Sequence, residues 1–258
     1  MSRRSVRSER RLFLVDGPNA VEGALGNLST PGASRVEVVE VFATPAAADQ
    51  YAARLAGAEV TLVDDRALAS LSDAVHPAGL VAVCRHLDVP LSALVDEVAP
   101  ATGTGPGLVA ICADVRDPGN AGTIIRTADA AGAHAVILAG DSVDAYNPKT
   151  VRASVGSLFH VPFAIERDVA AAVRAVQAAG FAVLAADGGG EVDLFQADDL
   201  LAGPTAWLFG NEAWGLPADV AALADHRVRI PIHGRAESLN LATAAALCLY
   251  ASARTQRS

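Results

Sequence analysis

The sequence predicts an α/β protein of two parts, the second built on a mostly parallel sheet with helices on both faces. Three features predict it. From residue 108 onward, short apolar runs alternate with helical patterns, and an unbroken apolar run is what a strand buried on both faces requires. The chain has 258 residues, 52% of them apolar, enough for one large core or two modest ones. Between the parts lies VAPATGTGPG (98–107), rich in small residues and turn formers. The division expected is therefore 1–97, a linker at 98–107, and 108–258.

In the first part a short strand leads into a helix near Asn19, followed by the strand VEVVEVFA (36–43). Pro45 starts another helix, and further strands are expected at 59–63 and 79–85. In the second part the strands are LVAICA (108–113), AVILAG (135–140), VPFAI (161–165), FAVLAA (181–186), TAWLFG (205–210) and RVRIPI (227–232). A long apolar helix closes the chain. In open parallel sheets ligands sit beyond the C-terminal ends of the strands, which directs attention to the loops after Ala113, Gly140, Ala186, Gly210 and Ile232.

Charge and cysteine content narrow the classes. The net charge of −9 argues against any nucleic-acid partner, because phosphate contacts need Lys and Arg. The N-terminus departs from this: Arg3, Arg4, Arg7, Arg10 and Arg11 face only Glu9, a pattern that suits a solvated tail or an RNA-touching arm equally. Cys84, Cys112 and Cys248 form no CxxC pair and have no His cluster beside them, so neither disulfides nor a metal site is expected. No run approaches the roughly 20 apolar residues of a membrane span, and the apolar N-terminal run is too short for a signal peptide. A cytoplasmic location is expected.

Three segments carry chemistry. DVRDPGNAGTIIRTADAAGA (114–133) follows the first strand of the second part. Asp117 as N-cap and Pro118 in the first turn start a helix that turns Ile124, Ala128 and Ala131 to the sheet. Arg126 falls on another stripe, one turn after Gly122, and taken alone reads more readily as a surface arginine paired with Asp129 than as a catalytic one; Asn120 reads equally as a turn residue. WLFGNEAWGLP (207–217) puts Glu212 in a loop bounded by Gly210 and Gly215, where it can accept hydrogen bonds from a ribose or from neighbouring backbone, or simply be solvated. Trp214 there suits a ligand or a subunit contact. RIPIHGRAESLNLATAAALCLY (229–250) predicts strand, tight loop and helix, with Ser238 as N-cap and Asn240 in the first turn beside free backbone N–H groups. A fourth stretch, NPKTVRASVGSLFHVPF (147–163), places Lys149, the sole lysine, and Arg152 near a helix start, as phosphate contacts or as a solvated face.

Together and in this order, the four stretches resemble the SpoU family of RNA ribose 2′-O-methyltransferases in the SPOUT superfamily, over nearly all of 107–253. VDGPNAVEGAL (15–25) and HPAGLVAV (76–83) resemble, more loosely, the family's small RNA substrate-binding domain. The resemblance implies a trefoil-knotted cofactor site, S-adenosylmethionine as methyl donor, a homodimer, and ribosomal RNA in preference to transfer RNA as substrate. It places catalytic roles on Asn120, Arg126, Glu212, Ser238 and Asn240. It places the cofactor against Leu208, Gly210, Asn211, Ile230, Ile232, Ser238 and Leu239, and RNA against Arg126, Lys149 and Arg152, with no metal. Two rival classes remain: a non-catalytic RNA-binding assembly factor on the same scaffold, and a dinucleotide-dependent dehydrogenase. The second is disfavoured because Gly103, Gly105 and Gly107 precede a strand, and the glycines at 188–190 open no GxGxxG helix.

Overall fold

Runs of Val, Ile, Leu and Ala with no polar interruption stay out of water only where helices cover both sides of their sheet. The computed structural model describes residues 4–26, 36–72, 77–100 and 107–257 and divides the chain into two compact units. Residues 1–87 and 144–160 form one unit; residues 88–143 and 161–258 form the other. In chain order the elements are α1 (Arg4–Arg10), β1 (Leu12–Asp16), α2 (Pro18–Gly26), β2 (Val38–Ala43), α3 (Pro45–Gln50), β3 (Val60–Leu62), α4 (Asp65–Leu71) and β4 (Leu80–Arg85). There follow α5 (Leu91–Val98), β5 (Leu108–Ala113), α6 (Pro118–Ala131), β6 (Ala135–Ala139), α7 (Pro148–Ser154), β7 (Phe163–Glu166), α8 (Val169–Ala178) and β8 (Ala182–Ala186). The chain ends with β9 (Val192–Asp193), α9 (Asp198–Leu201), β10 (Thr205–Phe209), α10 (Ala218–Ala221), β11 (His226–Arg229) and α11 (Leu241–Gln256).

The first unit holds a four-stranded sheet in the order β1-β4-β2-β3, with β4 antiparallel to both neighbours and buried over its first five residues. Its core is completed by residues distant in sequence. Tyr146 is buried, lies 4.7 Å from the Phe13 ring and 3.8 Å from His86, and its hydroxyl accepts the Leu87 N–H at 2.6 Å. The N-terminal arginines are not simply a tail. Arg4–Arg10 is helical, and buried Arg7 pairs with Asp144 at 2.6 Å through Nη2, with Nε at 3.1 Å on the same oxygen. Arg3 lies outside the described residues.

These contacts move the boundary expected from sequence. Helix α5 packs on α8 and β7 of the second unit, so the unit begins before the supposed linker, of which residues 101–106 lie outside the described residues. Lys149 and Arg152, on α7, belong to the first unit instead of the second.

The second unit is the parallel sheet foreseen, in the order β7-β6-β5-β10-β8-β11-β9, with the two-residue edge strand β9 as an addition. Strands β5, β6 and β10 are buried at every position. Helices α5 and α8 cover one face, while α6 and α11 pack together on the other. Ser252 of α11 accepts the indole N–H of fully buried Trp207 at 2.9 Å and meets Thr205 at 3.2 Å, so the one hydroxyl satisfies two polar groups beneath the helix. Strand order reverses between β5 and β10, and their C-terminal ends open the crevice where such sheets bind ligands. Among the described residues, no helix is long and apolar enough to cross a membrane.

Candidate functional site

The residues that leave β5, β10 and β11 are tied into one cluster inside the second unit. Asp114, just past β5, adopts a left-handed backbone with φ 55°, which asparagine and aspartate tolerate better than most residues. Its carbonyl accepts the buried Asn211 side-chain amide at 2.8 Å, and its Oδ1 accepts the Asp141 N–H at 2.8 Å. Asp117 caps α6 by accepting the Asn120 N–H at 2.8 Å, as the sequence predicts.

Past β10 the chain turns sharply. Asn211 and Gly215 exchange two backbone hydrogen bonds of 2.9 Å, and Asn211 Oδ1 accepts the Ala213 N–H at 2.8 Å. The turn leaves no room at Gly210, where a Cβ would meet the Gly215 carbonyl carbon at 2.4 Å. Glu212 at the tip reaches back to α6. Its Oε2 accepts the Arg116 N–H at 3.1 Å, and its Oε1 accepts the Asp117 N–H at 2.9 Å and the Asn120 amide at 3.2 Å. Partial burial alone would raise its carboxyl, but the backbone donors of Arg116 and Asp117 outweigh that and hold it below the usual carboxylate range.

The third loop completes the chain of bonds. Asn240 donates to Asn120 Oδ1 at 3.1 Å, while its own Oδ1 accepts the N–H groups of Ala242 at 3.0 Å and Thr243 at 3.3 Å. This corrects the expected helix start. Asn240, not Ser238, is the N-cap of α11, and it already occupies first-turn donors that seemed free for a ligand. Glu212, Asn120 and Asn240 thus form a continuous polar chain across three loops that are far apart in sequence.

Beside this chain is a cavity of about 270 Å³. Gly210, Asn211, Glu212 and Ser238 line it, with Ile230, Ile232 and Leu239 as apolar wall. Leu208 does not line it and is fully buried in β10. Sequence reasoning passed over Asp187, Gly188 and Glu237, which also line it. The signal was present, since the loop after Ala186 stands at a strand's C-terminal end and opens with Asp-Gly-Gly. Arg126 is exposed on α6, outside the lining, and its guanidinium makes no ion pair or hydrogen bond with the described residues, so the Asp129 pairing is not formed. Cys112, at the end of β5, is no nucleophile: burial, helped by the Glu212 charge, pushes its thiol up to about 12.

Comparison with known proteins places this geometry. Residues 107–250 match the SpoU rRNA Methylase family. The 23S rRNA (guanosine(2553)-2′-O)-methyltransferase of Bacillus subtilis is 32% identical over 247 residues, spanning 95% of this chain and 89% of that protein. The 23S rRNA (uridine(2479)-2′-O)-methyltransferase of Streptomyces viridochromogenes is 44% identical over 142 residues, 53% of this chain and 49% of that one. Among solved structures, an AdoMet-bound rRNA methyltransferase from Sinorhizobium meliloti superposes with a TM-score of 0.81 at 33% identity, covering 98% of this chain and 91% of that one.

Proposed function

Because the chain belongs to the SpoU rRNA methylase family, we propose that it transfers the methyl group of S-adenosylmethionine to a ribose 2′-hydroxyl of ribosomal RNA. The observation that carries this reading is the Glu212–Asn120–Asn240 chain bordering the cavity, which joins the three loops at the ligand end of the sheet.

The cavity fits the methyl donor. Gly210 brings bare backbone to the wall, Ile230 and Leu239 offer apolar surface to a base, and Asp187 and Glu237 supply acceptors for an ammonium group. S-adenosylmethionine bound there supplies an electrophilic methyl on a good leaving group. The work left to the protein is alignment and management of the hydroxyl proton. A guanidinium offers donors and no acceptor, so it is not suited to take the hydroxyl proton; the exposed Arg126 side chain, without a partner among the described residues, is suited to orienting the hydroxyl and stabilising its developing negative charge. Asn120 and Asn240 hold the loops around it, and Glu212 secures the start of the helix that carries it.

The first unit, with Lys149 and Arg152 on α7, we assign to RNA binding, and the ribosomal substrate implies a cytoplasmic enzyme. The family's trefoil knot, formed by the C-terminal strands and helix, we carry over on membership of the family alone. We assign a second copy of the chain to the apolar face of α11, where Leu247 and Tyr250 stand exposed beside Phe195. Light scattering that finds only monomers at micromolar concentration would exclude that assignment. The test of the reaction itself is incubation of unmodified ribosomal RNA with methyl-labelled S-adenosylmethionine. Label should enter the RNA with the wild type and not with Asn120→Ala; no label with the wild type would refute the reading.

A further inference from the structure

Among the described residues of the second unit, Trp214 is the most exposed large apolar side chain, at 61%, whereas Trp207 is fully buried. An indole in water forgoes the burial that ordinarily places such a side chain in a core or at a contact. The exposure is not that of a slack loop. The two Asn211–Gly215 backbone bonds close the turn, Asn211 Oδ1 holds Ala213, and Glu212 fastens the tip to Arg116 and Asp117. The turn therefore presents the indole on a fixed support, so little conformational freedom remains to be lost when something packs against it.

Its position narrows what that something is. Ala213 and Gly215 line the cavity, but Trp214 between them does not. A molecule filling the cavity covers Ile232 and Leu239, which are also exposed, and leaves the indole bare. The uncovered ring stands beside the cavity, where the second reactant must approach. If that reactant is RNA, as proposed above and on which this inference rests, it brings flat bases, and a ribose led into a cavity has its base parted from its stacked neighbours. We infer that Trp214 is a substrate-binding residue that stacks on a base of the RNA at or next to the methylated nucleotide. Stacking requires an aromatic face and no particular hydrogen bond, so phenylalanine can replace it and alanine cannot.

The test uses the full chain as wild type, Trp214→Phe and Trp214→Ala, with unmodified ribosomal RNA and methyl-labelled S-adenosylmethionine. Loss of one base–aromatic stack should raise KM for RNA about 5- to 150-fold in the alanine variant. The phenylalanine variant should stay within about threefold, and the dissociation constant for S-adenosylmethionine should not move in either. Adding RNA should quench tryptophan emission in the wild type, and in Trp214→Phe, where only buried Trp207 remains, it should not. An alanine variant whose KM for RNA stays within about twofold of wild type overturns the inference. So does one whose mass falls from dimer to monomer, which would assign the indole to a second copy. Quenching by RNA without any methyl transfer would sink the methyltransferase reading and leave the stacking role standing; normal transfer with an unchanged KM in the alanine variant would sink the stacking role alone.

Discussion

Replacing Glu212 tests whether its carboxylate acts on other parts of the protein, as the geometry has it, or on a ligand. Both oxygens accept: Oε1 from Asp117 N–H and the Asn120 amide, Oε2 from Arg116 N–H. Glu212→Ala removes all three bonds. At about 1 kcal/mol net each, reduced because water can reach the exposed carboxylate, the loss is about 2 kcal/mol. For a unit of this size that corresponds to a melting temperature about 4–8 °C lower. Methyl transfer should fall more steeply, about 100-fold, because the start of α6 and Asn120 lose their anchor. Glu212→Gln is the sharper variant. Its amide must turn a donor toward either Arg116 N–H or the donors at Oε1, so it should do no better than alanine in calorimetry and in single-turnover assays. A glutamine variant with wild-type stability and rate would refute the clamp.

The same clamp sets a pH dependence. The folded Glu212 carboxyl lies below its ordinary value, so its stabilisation is complete above about pH 4.3 and is lost as pH falls through the lower folded value. Wild-type stability should drop over that acid range by more than that of Glu212→Gln; parallel curves for the two proteins would contradict it.

Three further substitutions probe the cavity wall, the exposed guanidinium and the buried ion pair of the first unit. Gly210→Ala puts a Cβ 2.4 Å from the Gly215 carbonyl carbon, so the turn must shift and S-adenosylmethionine affinity should fall at least about tenfold by calorimetry; unchanged binding would show that the turn does not shape the cavity. Arg126→Ala should lower the transfer rate by about 100- to 1,000-fold and leave cofactor affinity within about twofold, whereas unchanged transfer would remove Arg126 from the chemistry. Arg7→Ala strands the Asp144 carboxylate, 11% exposed, and should cost the first unit about 3–5 kcal/mol, read as an earlier unfolding transition with cofactor binding intact.

What was legible in the sequence is what local rules govern. The parallel sheet follows from runs such as LVAICA and TAWLFG, whose burial on both faces leaves no polar position to interrupt them. The start of α6 follows from Asp117 and Pro118, because an N-cap and a first-turn proline act within one turn of the chain. The limits arise where distant residues decide. Ser238 and Asn240 are both acceptable caps; Asn240 takes the position while also reaching Asn120, which no local pattern encodes. Segment 144–160 joins the first unit through Tyr146 against Phe13 and Asp144 against Arg7, partners more than 130 residues away. For Glu212 the sequence leaves a ribose, neighbouring backbone or solvent as partners; the folded chain decides among them by bringing the N–H groups of Arg116 and Asp117 to it.

Methylation of a ribose 2′-oxygen of ribosomal RNA by this chain is read out by mapping 2′-O-methyl positions in cellular RNA. Among cells with the wild type, cells without the protein, and cells carrying Arg126→Ala, one 2′-O-methyl nucleotide in ribosomal RNA should be present only with the wild type. Identical maps from all three, or a wild-type-dependent methyl group carried on a base instead of a ribose, would contradict it.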